Sequence, residues 1–355
     1  MYGVINEFKH IEMPQMLSLG TNMFLSLPEI VERLSIGDKC LLITDKYIEN
    51  KYGKEVKSIL EEGKIETTIS IIEDSTLNEV DKQLSVLNEL KNNFVIGLGG
   101  GKPIDVAKLT SFKANQRFIS IPTIASHDGI ASSRASLKGI DERHSIQARP
   151  PIAVVADTKI LDNSPYRYTC AGCGDILAKK TSLKDWMLSH RIRNEPISPT
   201  SVALSEMTVK LISENADLIK SQSEGYSRIV MNSLISSSLA MCVAGSSRPG
   251  SGSEHMFSHA LDLIAETPAL HGEQCAIGTI LMAFLHELNW ENIKSVMNTI
   301  GIPTTAKKIG IKDEDIIEAL KIAHTIRPER FTILGKDGLT HEAAVNVATK
   351  TSVIN

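Results

Sequence analysis

Cysteine is sparse and unpatterned. Five residues, an odd number with no framework spacing, exclude a disulfide scaffold and fit a reducing cytoplasm. The one CxxC, Cys170-Ala171-Gly172-Cys173, lacks the second pair of a structural zinc site and the thioredoxin-like setting of a redox motif. Both thiols therefore read as ordinary buried or loop residues. Charge of one sign is nowhere concentrated: 38 Lys and Arg stand against 42 Asp and Glu, for a net charge of −4. That excludes a nucleic-acid groove, which needs clustered cations, and a polybasic membrane patch. Long apolar runs are missing too. The longest, 277–285, is too short to span a bilayer and reads as a buried helix, so no transmembrane segment is expected. The start, Met1-Tyr2-Gly3-Val4-Ile5-Asn6-Glu7, has no charged region ahead of an apolar one. No secretory leader is expected, and the location expected is cytoplasmic.

What is present points to two domains, since 355 residues exceed what one core usually holds. The lead-in, 1–37, reads as irregular with a short helix at 27–34. Continuous apolar strands follow at 39–45, 65–72, 93–96 and 117–121, separated by helices, one of them opened by Asp74-Ser75-Thr76. Strands without polar alternation are covered on both faces, so the alternation predicts a doubly wound, Rossmann-like parallel sheet. Residues 131–151 read as a hairpin turning at Lys138-Gly139-Ile140-Asp141, and 152–157 as one more strand. Thereafter the apolar period is helical. The division expected is an α/β domain over 1–162 and an all-α domain over 163–355.

Gly99-Gly100-Gly101 ends a strand and opens a helix, with Lys102 and Pro103 next. Glycines let a ligand approach the backbone, and helix N-terminal N–H groups suit a pyrophosphate. Pro103 fits the first helical turn. The stretch is neither GxGxxG nor a Walker loop. Asp45, at the end of the first of these strands, is placed either to accept from ribose hydroxyls or to cap the following helix. Further on, His255 and His259 stand four apart, on one helical face, with His271 twelve residues later and Asp175 upstream. One Asp and two His make a borderline-soft divalent site that leaves a coordination position open.

Gly99-Gly100-Gly101-Lys102-Pro103-Ile104-Asp105 resembles the GGGxxxD motif of the superfamily of iron-containing alcohol dehydrogenases, glycerol dehydrogenases and dehydroquinate synthases. Ile121-Pro122-Thr123-Ile124-Ala125-Ser126-His127-Asp128 resembles its PTxAS(T/H)D loop. The likeness runs from about residue 38 to 285. It is strongest to the branch that reduces dihydroxyacetone phosphate to sn-glycerol 1-phosphate for archaeal ether phospholipids. By that resemblance NAD(P) is held by residues 101–105, Thr123, Ile124, Ala125, Ser126 and Ser132. One zinc ion per subunit is held by Asp175, His255 and His271, and substrate touches Asp128, Asp175 and His259. Glycerol dehydrogenase, or a carbocycle-forming lyase of the dehydroquinate type, is the alternative. Arg134, Lys138, Lys179, Lys180 and Arg248 are all candidates for the substrate phosphate. The last sixty or so residues match no motif. A homo-oligomer is expected.

Overall fold

The computed structural model describes residues 11–138 and 145–355; the opening stretch at 1–7 and the hairpin turn at 139–141 lie outside them. Eight strands are present among the described residues: β1 (Met16–Gly20), β2 (Lys39–Asp45), β3 (Glu66–Ile72), β4 (Phe94–Gly99), β5 (Arg117–Pro122), β6 (Arg134–Ser136), β7 (Ser145–Gln147) and β8 (Ala153–Asp157). Six form one parallel sheet in the order β1-β8-β5-β4-β2-β3; β6 and β7 pair antiparallel, as the hairpin reading expects. From Thr158 on, every regular element is a helix.

The strands carry no polar alternation because both faces are covered. Leu41, Ile43, Val95 and Val154 point to one core, while Cys40, Leu42, Phe94, Ile96 and Val155 point to the other. The second core packs on the Leu27–Leu34 and Lys54–Glu62 helices. The first is larger: it continues without a break to Met256, Phe257, Ala276 and Ile280 of the helical half. Each such side chain is worth roughly 1.5–3 kcal/mol of burial, so the helical half is bound firmly to the sheet.

One expectation fails. The lead-in is not wholly irregular, because β1 pairs with β8 from Met16 opposite Ala153 to Gly20 opposite Asp157. As an edge strand it is only half covered, with Leu17 exposed, so it lacks the apolar run that marks β2 or β4. One helix, Tyr226–Ala244, has the length and composition of a membrane span, and 67% of that window is buried inside the protein.

The order in which strands are added to the sheet reverses between β2 and β4, adjacent parallel strands that lead to β3 on one side and β5 on the other. In open parallel sheets the crevice at such a reversal, beyond the strand carboxyl ends, takes ligands. Asp45 and Gly99 end those two strands, and Pro122 ends β5 just before the Thr123–Asp128 loop.

Candidate active site

The glycine loop lies at that crevice. Gly99 has φ +145°, which only glycine adopts without strain. Gly100 precedes the Gly101–Lys113 helix with no side-chain cap, so the first-turn N–H groups keep their donor capacity. A Cβ at Gly101 would meet His127 Nε2 at 2.4 Å, and one at Gly100 would meet Ile124 Cδ1 at 2.9 Å. The Thr123–Asp128 loop therefore folds directly over the glycines. Thr123 is buried, and its Oγ1 has no hydrogen-bond partner, an atom left to a ligand. Asp45 caps the next helix through Oδ1 to Ile48 N, while Oδ2 faces Gly99.

Other residues of this group are engaged within the protein. Lys102 pairs with Asp74 at 2.8 Å, and Lys138 reaches the same carboxylate at 2.9 Å. Burial opposes ionisation there, but the two ammoniums and Ser75 N lower the Asp74 pKa to about 2. Asp105 is buried, accepting from Lys108 Nζ and Ser136 N. Pro103 and Ile104 are buried in the first turn of the helix. Ser132 Oγ accepts from Arg134 N, and Ser126 is partly buried.

The histidines and Asp175 come from three helices. Asp175 sits in the last turn of Tyr166–Leu177, His255 and His259 in Ser253–Ile264, and His271 opens His271–Leu285. Glycines let these helices touch backbone to backbone. A Cβ on Gly272 would lie 1.9 Å from Ala171 O, one on Gly174 2.4 Å from Gly272 O, and one on Gly278 2.8 Å from Glu254 O. Small residues in Cys173-Gly174-Asp175 and His271-Gly272 thus set the separation of the groups beside them.

His255 Nε2 is 3.4 Å from Asp175 Oδ1, and the His255 and His271 rings are 5.1 Å apart. His259 stacks on His271 at 5.7 Å, with Nδ1 3.5 Å from Asp262. Cys275, one turn beyond His271, joins the group: donor atoms of His255, His271 and Cys275 all lie within 4.8 Å of one another. Burial, then the neighbouring His255, lowers the His271 pKa to about 3, so its imidazole is a neutral lone-pair donor. Burial opposes charge on His255, yet Cys275, Asp175 and Glu254 raise its pKa well above normal. Two imidazoles beside a carboxylate and a thiol are a donor set that fits a zinc-like divalent ion.

The residues behind these were not evident from the sequence. Glu254, fully buried, accepts from His255 Nδ1 at 2.8 Å, from Thr181 Oγ1 at 2.7 Å and from Gly252 N at 2.6 Å. A carboxylate on one ring nitrogen fixes the tautomer that offers the other. Ser258 lies 3.2 Å from His271 Nδ1 and donates to Gln274. Buried Asp185 accepts from Ser253 N, Ser253 Oγ, His286 Nε2 and Ile333 N, anchoring the start of the His255 helix. Lys179 is fully buried and bridges Asp175 Oδ1 at 2.6 Å and Asp128 Oδ2 at 2.9 Å. It is held between two carboxylates. Burial alone would raise the Asp175 pKa; Lys179, His255 and His271 hold it well below the usual carboxylate range. Asp128 also donates its backbone N–H to Asp175 Oδ2 at 2.8 Å and accepts from Ser237. One signal was readable: Cys275 and Lys179 stand one helical turn after His271 and Asp175.

A parallel sheet with a glycine crevice, closed by a helical half carrying paired imidazoles, defines a class. Residues 18–165 match the sequence family described as iron-containing alcohol dehydrogenase. Solved structures share the fold over nearly the whole chain. A probable glycerol dehydrogenase from Sinorhizobium meliloti 1021 has TM-score 0.82 at 19% identity, covering 98% of this chain and 100% of that one. Glycerol dehydrogenase from Schizosaccharomyces pombe has TM-score 0.81 at 19% identity, covering 98% and 91%. At the level of sequence the chain is 48% identical to glycerol-1-phosphate dehydrogenase [NAD(P)+] of Thermococcus sibiricus, over 98% of this chain and 99% of that protein. It is 46% identical to the protein of that name from Methanosarcina acetivorans, over 99% and 98%. The chain belongs to the iron-containing alcohol dehydrogenase family, in its glycerol-1-phosphate dehydrogenase branch.

Proposed function

We propose that this protein is an NAD(P)H-dependent, zinc-dependent oxidoreductase that reduces dihydroxyacetone phosphate to sn-glycerol 1-phosphate, for phospholipid synthesis. The observation that carries the reading is the 48% identity, over 98% of the chain, to an enzyme of that name. The paired-imidazole pocket beside the glycine crevice supports it. Residues 1–162 hold the dinucleotide, through the 99–105 loop, Thr123–Ser126 and Ser132, and add Asp128 to the substrate site; residues 163–355 supply the metal ligands and the other substrate groups. The protein is cytoplasmic and a homo-oligomer in this reading.

Asp175, His255 and His271 hold the metal, with Cys275 as a neighbouring donor. A bound divalent ion would polarise the substrate carbonyl, and the nicotinamide would supply hydride. The protein's own groups position and balance charge. Glu254 orients His255 through Nδ1. Lys179, held between Asp175 and Asp128, keeps the buried Asp175 carboxylate ionised. Asp128 holds a substrate hydroxyl. His259, its ring set by Asp262 and by stacking on His271, delivers the proton to the product oxygen. Charge developing on that oxygen is met by these fixed groups.

The test follows NADH and NADPH oxidation with dihydroxyacetone phosphate and with dihydroxyacetone, with and without a chelator. Chelator-sensitive oxidation that prefers the phosphorylated ketone is expected. Equal rates on both ketones would replace the reading with glycerol dehydrogenase, and no net cofactor oxidation with either would point to a lyase.

A further inference from the structure

Arg248 lies within residues 245–252, the loop that joins the Tyr226–Ala244 helix to the helix of His255 and His259, and Arg327 and Arg330 reach that loop from the terminal stretch. Arg248 is buried within that loop; its Nε and Nη2 grip Glu195 at 2.8 and 2.6 Å, and Nη2 also donates to Phe331 O. Its Nη1 is buried with no hydrogen-bond partner. Arg330 donates from Nη1 to Ser251 O at 2.7 Å and from Nη2 to Ser247 Oγ at 3.0 Å. Arg327 reaches the same Ser247 Oγ at 3.4 Å. Arg134, whose Nη1 donates to Gln147, is close enough to Arg327 for the two charges to repel. Glu329 acts on Arg134, Arg327 and Arg330 as an opposing charge, without forming an ion pair to Arg327 or Arg330 among the described residues. Burial, then the neighbouring arginines, lowers the pKa of Arg327 to about 10 and of Arg330 to about 9. Arg248 is buried, while Arg134, Arg327 and Arg330 keep part of their surface exposed; guanidiniums grouped in this way repel one another unless an anion joins them.

The loop places this group beside the reaction centre. Gly250, between the two residues gripped by Arg330, packs on Asp128, whose Oδ2 would lie 3.5 Å from a Cβ there. Gly252, next after Ser251, donates to the Glu254 carboxylate that orients His255. The same loop therefore backs both the reaction centre and the arginines. Guanidinium forks match phosphate oxygens in pairs, which an ammonium does not.

We propose that Arg248, Arg327 and Arg330, with Arg134 at their edge, form the subsite for the substrate's phosphomonoester and set the preference for a phosphorylated ketone. The proposal rests on the function proposed above. It draws two of its residues from the terminal stretch that carries no recognisable motif, and it sets aside Lys138 and Lys179, which hold protein carboxylates.

The experiment uses the full-length enzyme and the variants Arg327→Gln and Arg330→Gln, with Lys336→Gln, an exposed charge, as control. KM and kcat are measured for dihydroxyacetone phosphate, dihydroxyacetone, NADH and NADPH. Protection by inorganic phosphate against thermal unfolding is measured alongside. Each arginine variant should raise KM for the phosphorylated ketone about 10- to 100-fold. It should leave dihydroxyacetone turnover and both cofactor KM values near wild type and lose the phosphate protection. Lys336→Gln should change none of these. A parallel fall on both ketones would make the arginines a structural clamp, and a rise confined to NADPH would assign them to the cofactor's extra phosphate; either overturns the proposal. Wild-type preference for the phosphorylated ketone retained by both variants would overturn the subsite while the function stands. A wild type indifferent between the ketones overturns the function, and phosphate protection still reads the subsite separately.

Discussion

Two groups of buried charge share the 245–252 loop, and they are balanced differently. On the histidine side the carboxylates and cations interlock: Lys179 joins Asp128 to Asp175, and Glu254 backs His255. On the arginine side Glu195 takes Arg248, while Arg327 and Arg330 rest on a serine hydroxyl and a carbonyl with Glu329 as an opposing charge nearby, which leaves more cations than carboxylates. A cluster whose charges are matched internally is a rigid frame, and it holds its donors in place whether or not a ligand is bound. A cluster with surplus charge of one sign gains its missing partner from outside, so it discriminates by charge. The first is built for positioning and the second for selecting.

The largest effect should come from removing a donor on the interlocked side. His271→Ala is expected to abolish bound metal and cut kcat by about a thousandfold or more, since Lewis-acid stabilisation is worth several kcal/mol. NAD(H) affinity and phosphate protection should persist, because they depend on other residues. Metal analysis with fluorescence titration of the cofactor checks this, and full metal content in the variant would remove His271 from the donor set. Next, Lys179→Met leaves buried Asp175 and partly exposed Asp128 without their cation. A loss of about 3–5 kcal/mol is expected, measured by denaturant unfolding of the metal-free protein. A loss under about 1 kcal/mol would mean that the frame does not depend on that lysine.

The smallest effect supplies the solvent-screened contrast. Asp74 is a carboxylate between two ammoniums, Lys102 and Lys138, the inverse of Lys179 between Asp128 and Asp175, and about a third of its side chain is exposed. Its folded pKa, about 2, is below the unfolded value. The stability it contributes is therefore present above the ordinary carboxylate pKa and lost as pH falls toward 2. Screening keeps that contribution to about 1 kcal/mol or less. Asp74→Asn should lose that much at pH 7 and nothing near pH 2 in parallel unfolding curves; a penalty equal at both pH values would show that charge is not its cause.

Legibility followed locality. The strands β2 to β5 and β8 announce themselves by apolar runs, and the glycine loop by three adjacent residues, so the crevice could be read from short stretches. β1 escaped because an edge strand is half exposed and loses the run. His255 and His259 were visible as a helical pair. The grouping of Asp175 and His271 with them rested on family resemblance, and the structure places Asp175 3.4 Å from His255 and the His271 ring 5.1 Å from that of His255. Glu254 stood beside His255 all along, but adjacency in sequence does not say that a carboxylate turns back onto the ring.

The amino-acid order alone determined the strand and helix periods, the phosphate-friendly glycines and the types of donor available, because these depend on a few neighbouring residues. Only the tertiary structure decided which charges neutralise one another. Coulomb pairing and desolvation act through space, so whether Lys179 serves a carboxylate or a phosphate, and whether Arg327 and Arg330 meet a loop eighty residues away, is settled by packing. The glycines at 174, 272 and 278 connect the two levels: they are small in the sequence for the sake of helix contacts that exist only once the chain has folded.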